Sequence, residues 1–224
     1  MEQIKISAKA LGAFAMPDFC PRCAWIKLKS AILPWQIFPG IFSSIDAYTK
    51  KCVHAIIQSP CVPSWIEEMG KITGFQKVSS KVQYFDDTNG VVLTGVPDDI
   101  LLCSDGSRVI PDYKTAKHTD NQDKLFPMYE AQVNGYALLH DQNAKLFLVY
   151  MVPETGEESI ILRSGMDGFS LGFSPKVVPV ENNRSIMDRL FSSVREIYEM
   201  KQPPTGRTGC KDCEALDGVA KLLQ

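Results

Sequence analysis

Two Cys-x-x-Cys pairs stand near opposite ends of this 224-residue chain, Cys20-Pro21-Arg22-Cys23 and Cys210-Lys211-Asp212-Cys213. Each pair holds two thiolates at chelating spacing, and together they supply the four donors of a tetrahedral set. A centre that uses both pairs must bring the two ends of the chain together. Nearly the whole chain then becomes one closed loop, which restricts the unfolded state and acts as a staple. The cysteines number seven in all, an odd count, and in a reducing compartment clustered cysteines more often bind metal than form disulfides. Cys52, Cys61 and Cys103 lie in apolar sequence and are expected in the core.

The length fits one domain with a sizeable core, and 45% hydrophobic with 22% charged residues is ordinary for a globular chain. The apolar run Ala10 to Met16 is too short for the central region of a signal peptide, and no stretch is long enough to span a bilayer. A cytoplasmic protein without a membrane partner is therefore expected. The net charge of −2 rules out a globally basic nucleic-acid binder, so any phosphate-binding surface must be local.

Along the chain, Phe14 to Ser30 reads as a turn and a short amphipathic element, broken by Pro34 and by Pro39-Gly40. Ile41 to Ser59 has helical spacing at Ile45, Tyr48, Cys52, Val53 and Ile56, and Pro60 and Pro63 end it. Short β-rich runs follow at Val82–Tyr84, Val91–Leu93, Ile100–Cys103 and Val109–Ile110. Asp87-Thr88-Asn89-Gly90 and Ser104-Asp105-Gly106-Ser107 separate them as hairpin turns. Met128 to His140 is expected to be a helix, Leu146 to Val152 a buried strand and Ile160 to Val180 further strands. Ser185 to Met200 is an amphipathic helix, stopped by Pro203-Pro204 before a Gly-containing tail with the second cysteine pair. This order indicates an α/β domain with mixed strand directions.

The chemistry concentrates in Gly95-Val96-Pro97-Asp98-Asp99-Ile100 and Ile110-Pro111-Asp112-Tyr113-Lys114-Thr115. Each half puts a carboxylate at the end or bend of a strand. Pairing through the Asp105-Gly106 turn lets Asp98 and Asp112 approach from neighbouring strands and share one divalent ion, with the Tyr113 carbonyl as a further oxygen. Hard oxygen ligands suit Mg²⁺ or Mn²⁺. Lys114, two residues beyond Asp112, projects from the same face of a strand, where an ammonium can orient water and offset developing phosphate charge. Gln132 and Tyr136, four residues apart, share a face of the next helix and can serve a phosphate, the lysine or a buried pair.

In order and spacing, Gly95-Val96-Pro97-Asp98, Asp112-Tyr113-Lys114 and Gln132-Val133-Asn134-Gly135-Tyr136 resemble the successive motifs of the PD-(D/E)XK nuclease superfamily, Cas4/RecB-like branch. The resemblance runs from about Val82 to Leu139, and Phe19-Cys20-Pro21-Arg22 is similar to the start of the Cas4 cysteine motif. It implies an α/β, restriction-endonuclease-like core, with a central mixed β-sheet flanked by helices and the termini joined by the cysteine centre. It implies metal-dependent hydrolysis of DNA, single-stranded or at ends. Asp98 and Asp112 would be the metal ligands, Lys114 the catalytic lysine, and Gln132 and Tyr136 the supporting pair. A histidine on the preceding helix completes the metal shell in that family. His54 takes this place, although the glycine that normally sits close before it is here Gly40, and Asp46 competes as an acidic ligand.

For the cysteines the resemblance implies a [4Fe-4S] cluster, while the arrangement of two and two, in place of one and three, also suits Zn²⁺. Partner proteins of CRISPR adaptation or DNA repair are implied likewise. One domain is expected over residues 1–224, its catalytic core at about 40–180. Cysteine segments 14–30 and 184–224 would form a small cluster-binding subdomain. The alternatives are a non-catalytic nucleic-acid-binding protein or an adaptor subunit, held by the same staple.

Overall fold

The computed structural model describes residues 2–30, 39–117, 122–158, 164–165 and 168–222. The expected break at Pro34 and the first residues of the strand region expected from Ile160 lie outside the described residues. In chain order the elements are β1 (Ile4–Ser7), α1 (Ala8–Gly12), α2 (Pro21–Ser30), α3 (Gly40–Ile57), α4 (Ser64–Glu67), β2 (Ile72–Gln76), β3 (Gln83–Asp86), β4 (Val91–Thr94), β5 (Ile100–Cys103) and β6 (Arg108–Thr115). They continue with α5 (Phe126–His140), β7 (Lys145–Pro153), β8 (Ser164–Gly165), β9 (Gly168–Phe169), β10 (Phe173–Val180), α6 (Arg184–Glu199) and α7 (Lys211–Leu222).

The central sheet has the order β10-β7-β6-β5-β2. Its strands β6 and β7 run parallel, and the other neighbours are antiparallel. The β5–β6 hairpin closes at Gly106, whose φ of 80° suits glycine, and its described pairs stop at Leu101 with Val109. Pro111 comes just beyond that last pair, consistent with a residue that has no N–H to give to a second neighbour. The strands expected at Val82–Tyr84 and Val91–Leu93 join instead a second sheet, order β1-β4-β3, in which β1 runs parallel to β4.

Alternation along β6 decides what lies on each face of the central sheet. Val109 and Tyr113 pack with Val53 and Ile57 of α3 and Ile66 of α4; Ile110 packs the other way, with Val133, Tyr136 and Ala137 of α5. β7 follows in phase, placing Leu146, Leu148 and Tyr150 toward α5 and Val149 and Met151 toward α3. Helix α5 is buried continuously from Ala131 to Leu139, because the second sheet and α6 cover the sides the central sheet does not. The N-terminal Ile4, Ile6, Ala8 and Leu11 and the α6 residues Met187, Leu190, Phe191 and Val194 belong to this same core. Residues before 40 and after 184 thus contribute to the main core as well as to the cysteine segments.

Several elements differ from the sequence expectation. The strand-helix unit β1–α1 and the edge strand β2 were not expected, and the C-terminal tail is the helix α7. Cys103 is buried as expected, Cys52 is half-buried, and Cys61 is exposed because it lies in the proline-bounded turn between α3 and α4. No helix among the described residues is long and apolar enough to cross a membrane.

Asn134 ties α5 to the start of α6. Its buried amide donates to the carbonyls of Glu130 and Glu181, and its Oδ1 accepts the Asn183 N–H at 2.7 Å. Replacing it with alanine leaves buried backbone groups without partners, so Asn134→Ala should destabilise the fold by about 1–3 kcal/mol in urea unfolding. A change within error would mean that solvent reaches this junction.

Candidate active site and cysteine centre

Asp112 and Lys114 leave β6 on the face that meets α5. The Asp112 carboxylate is 2% exposed and forms an ion pair with the Lys114 ammonium through Oδ2. That oxygen accepts no well-directed hydrogen bond, whereas Oδ1 accepts from Gln132 Nε2 at 3.3 Å. Burial pushes the Asp112 carboxyl up to about 6, against the opposing pull of Lys114. Lys114 also donates to Gln132 Oε1 at 3.2 Å, and its ammonium lies 4.4 Å from the centre of the Tyr129 ring. Gln132 Nε2 reaches the Tyr136 hydroxyl oxygen at 2.8 Å. One glutamine amide thus touches the acid, the lysine and the tyrosine.

Asp98 and Asp99 occupy the bend between β4 and β5 and point to different partners. Asp98 Oδ2 accepts the backbone N–H of Tyr113 at 2.8 Å, which pins the bend to the middle of β6. Its Oδ1 lies 2.8 Å from Lys50 Nζ, and Lys50, on α3, also pairs with Asp46 at 2.9 Å. Burial lowers the Lys50 pKa, but the two carboxylates outweigh it and the net shift is upward. Asp99, 3% exposed, meets His54 Nε2 at 2.6 Å and accepts from the Tyr113 hydroxyl at 3.0 Å. Burial raises its pKa despite those partners. The His54 imidazole stacks on Phe75, with ring centres 3.7 Å apart. Gly95, at the start of the bend, must be glycine for α5 to come this close, because a Cβ there would lie 2.9 Å from Tyr136 Cε1.

Asp112, Lys114, Gln132 and Tyr136 therefore form one connected group, with Asp98 joined to it through the Tyr113 backbone. The ring nitrogen His54 Nε2, expected at a metal, is directed to Asp99, and Asp46 is separated from Asp98 by Lys50. Among the described residues, Asp98 and Asp112 form no close set of three ligands with either of them. Tyr113, expected to offer its carbonyl, uses its N–H and its hydroxyl to hold both aspartates. Lys50, Asp99 and Tyr129 were missed as participants. The Asp46–Lys50 spacing of four residues on a helix was the one available signal, and it is also the signature of an ordinary surface pair.

The acidic site nevertheless suits a divalent cation. Asp112, buried beside the Lys114 ammonium, and Asp98, near enough to raise the Asp112 pKa, offer hard anionic oxygens within one network. Two carboxylates leave several positions for water and phosphate oxygens.

The second centre is built where two helices start. Cys20 precedes α2 and Cys23 lies in its first turn; Cys210 precedes α7 and Cys213 lies in its first turn. All four are buried, and their sulfurs lie within 4.8 Å of one another. Cys20 Sγ lies 3.5 Å from Cys213 Sγ, and Cys23 Sγ lies 3.6 Å from each of the Cys210 and Cys213 sulfurs. Burial pushes the Cys20 thiol up, but backbone N–H groups of Arg207 and Cys23 outweigh it and hold the thiol at about 6. Arg22 grips Asp217 through two hydrogen bonds of 3.1 and 2.7 Å, joining α2 to α7 a second time.

Two solved structures are similar to this chain at low sequence identity. One is a phage-related exonuclease from Haemophilus somnus 129PT, 13% identical, covering 88% of this chain and 94% of its own, with a TM-score of 0.51. The other is SSO0001, 13% identical, covering 91% of this chain and 80% of its own, with a TM-score of 0.46. No curated protein matches the chain in sequence. The family model of the PD-(D/E)XK nuclease superfamily matches residues 20–217, a span that takes in the Asp98 bend, β6, α5 and both cysteine pairs, and the chain belongs to that superfamily.

Proposed function

We propose that this chain hydrolyses DNA phosphodiester bonds at the site formed by Asp98, Asp112 and Lys114. The observation that carries the reading is the state of Asp112, an acid buried on a central strand with the Lys114 ammonium paired to one oxygen and Gln132 to the other. A buried ion pair contributes little to stability once both charges are desolvated, so a role in chemistry explains it better than a role in stability. Membership of a nuclease superfamily supplies the reaction class.

Asp98 and Asp112 would hold the divalent ion, Mg²⁺ or Mn²⁺, with water and substrate oxygens in the remaining positions. When bound, the ion acidifies a coordinated water and polarises the phosphate. Lys114 is held by Asp112, Gln132 Oε1 and the Tyr129 ring, so its charge stays where an attacking water can be oriented and the charge growing on the phosphate oxygens offset. Gln132 fixes that lysine while its amide N–H groups serve Asp112 and Tyr136. Lys50, which faces Asp98, puts a second ammonium beside the acids, where a phosphate oxygen could pair with it once a cation occupies the carboxylates. His54 stands beside the metal ligands as the partner of Asp99. A preference for single strands or ends follows from the Cas4/RecB-like resemblance.

With Mg²⁺ or Mn²⁺ and labelled single- and double-stranded DNA, the wild-type chain should cleave and chelation should stop it. Asp112→Asn and Lys114→Ala should each lower the rate at least about 10²-fold while circular dichroism stays native. Undiminished cleavage by folded Lys114→Ala protein would remove the mechanism.

The Gln132 network gives a second test. Gln132→Leu releases Lys114 and Tyr136 together, so it should reduce cleavage by roughly tenfold or more, with a smaller relative effect on unfolding temperature. If stability falls and the folded fraction cleaves normally, the glutamine serves the core alone.

A further inference from the structure

We infer that the four cysteines hold a single tetrahedral zinc ion and not a four-iron cluster. A zinc ion with Zn–S bonds of about 2.3 Å needs its four sulfurs about 3.8 Å apart, the edge of the corresponding tetrahedron. Here three of the pairs are 3.5, 3.6 and 3.6 Å apart, and 4.8 Å encloses every pair. In a four-iron cubane each thiolate ends on a different iron at a different corner, so the sulfurs point outward from a core of eight atoms. Their separations then exceed the iron–iron spacing by the reach of two outward bonds, well beyond the 4.8 Å that contains this set.

The surroundings oppose a wider shell. Gly206 lies against the centre with no room for a side chain, because a Cβ there would sit 2.8 Å from Cys213 Sγ and 3.3 Å from Cys213 Cβ. The Arg207 N–H donates to Cys20 Sγ at 3.3 Å and fixes a second sulfur. The two-pronged Arg22–Asp217 contact sets the spacing of the helices that carry the pairs. Charge is balanced in the same places: four thiolates around a dication leave a net negative centre, faced by Arg22, by the backbone N–H of Arg207 and by two helix N-termini. The [4Fe-4S] cluster implied by the family resemblance does not fit these distances, and the two-and-two arrangement departs from that family's pattern in the same direction. The inference is independent of the nuclease reading, since the centre shares no residue with the acidic site.

The test is elemental analysis and visible spectroscopy of the full chain, purified in parallel with and without oxygen. The expected result is about one zinc per chain and no visible absorption from either preparation. Replacing the zinc by Co²⁺ in the intact protein should give the strong visible bands and thiolate charge transfer of a tetrahedral four-sulfur site. Stripping the ion should lower the unfolding temperature by roughly 10 °C or more. Cys213→Ser should lose the ion; if that variant does not fold, the Co²⁺ spectrum of the wild-type chain still decides. About four irons per chain with broad visible absorption from the anaerobic preparation would overturn the assignment, as would one iron or no bound metal.

Discussion

The structure turns on one buried charge. Placing Asp112 at the centre of a five-stranded sheet demands compensation, because an isolated carboxylate in a low-dielectric interior is strongly disfavoured. Compensation comes from the strand itself and from the helix packed on that face. Lys114, on the same face, provides the cation, and Gln132, across the interface on α5, provides the hydrogen bond. The site therefore exists only when β6 is central, when α5 packs closely on it, and when Gly95 lets the preceding bend approach Tyr136.

Tyr113 shows how the opposite face of the strand is recruited. It points toward α3, yet its hydroxyl reaches Asp99, and its N–H holds Asp98. Helix α3 answers with His54 on Asp99 and Lys50 on Asp98. The Asp98–Asp99 bend is thus tied to β6 and α3 through Tyr113, His54 and Lys50, while α5 meets the acid and lysine on the other face of the strand. The two ends of the chain add to this frame from outside: α2 and α7 meet at the cysteines, and α6 lies on the core that contains α5.

Much of this was legible in the sequence wherever a signal was local. The Asp105-Gly106 turn announces the β5–β6 hairpin, alternation along Arg108 to Thr115 puts Asp112 and Lys114 on one face, and the four-residue spacing of Gln132 and Tyr136 puts both on one side of α5. What escaped depends on distant pairing. Ile4–Ser7 is a strand because its partner Val91–Thr94 lies far along the chain, and four residues alternating buried and exposed carry too weak a period alone. Ile72–Gln76 holds an edge position and is interrupted by a register shift near Gly74, which blurs its pattern. Lys211–Leu222 carries a glycine inside the helix, so its periodicity reads as a tail until Cys213 and Asp217 anchor it to α2. The roles of His54 and Lys50 depended on which of two adjacent aspartates each would meet, and spacing does not distinguish Asp98 from Asp99.

The central claim is that Asp98 and Asp112 together make a divalent-cation site, with the ammonium groups of Lys50 and Lys114 beside their carboxylates. Anomalous diffraction from crystals soaked in Mn²⁺ tests it directly. The account predicts a manganese peak within coordination distance of carboxylate oxygens from both residues, with Lys50 Nζ moved from its 2.8 Å contact with Asp98. A manganese peak elsewhere, with both lysine pairs intact in protein that cleaves DNA in the same buffer, would contradict it.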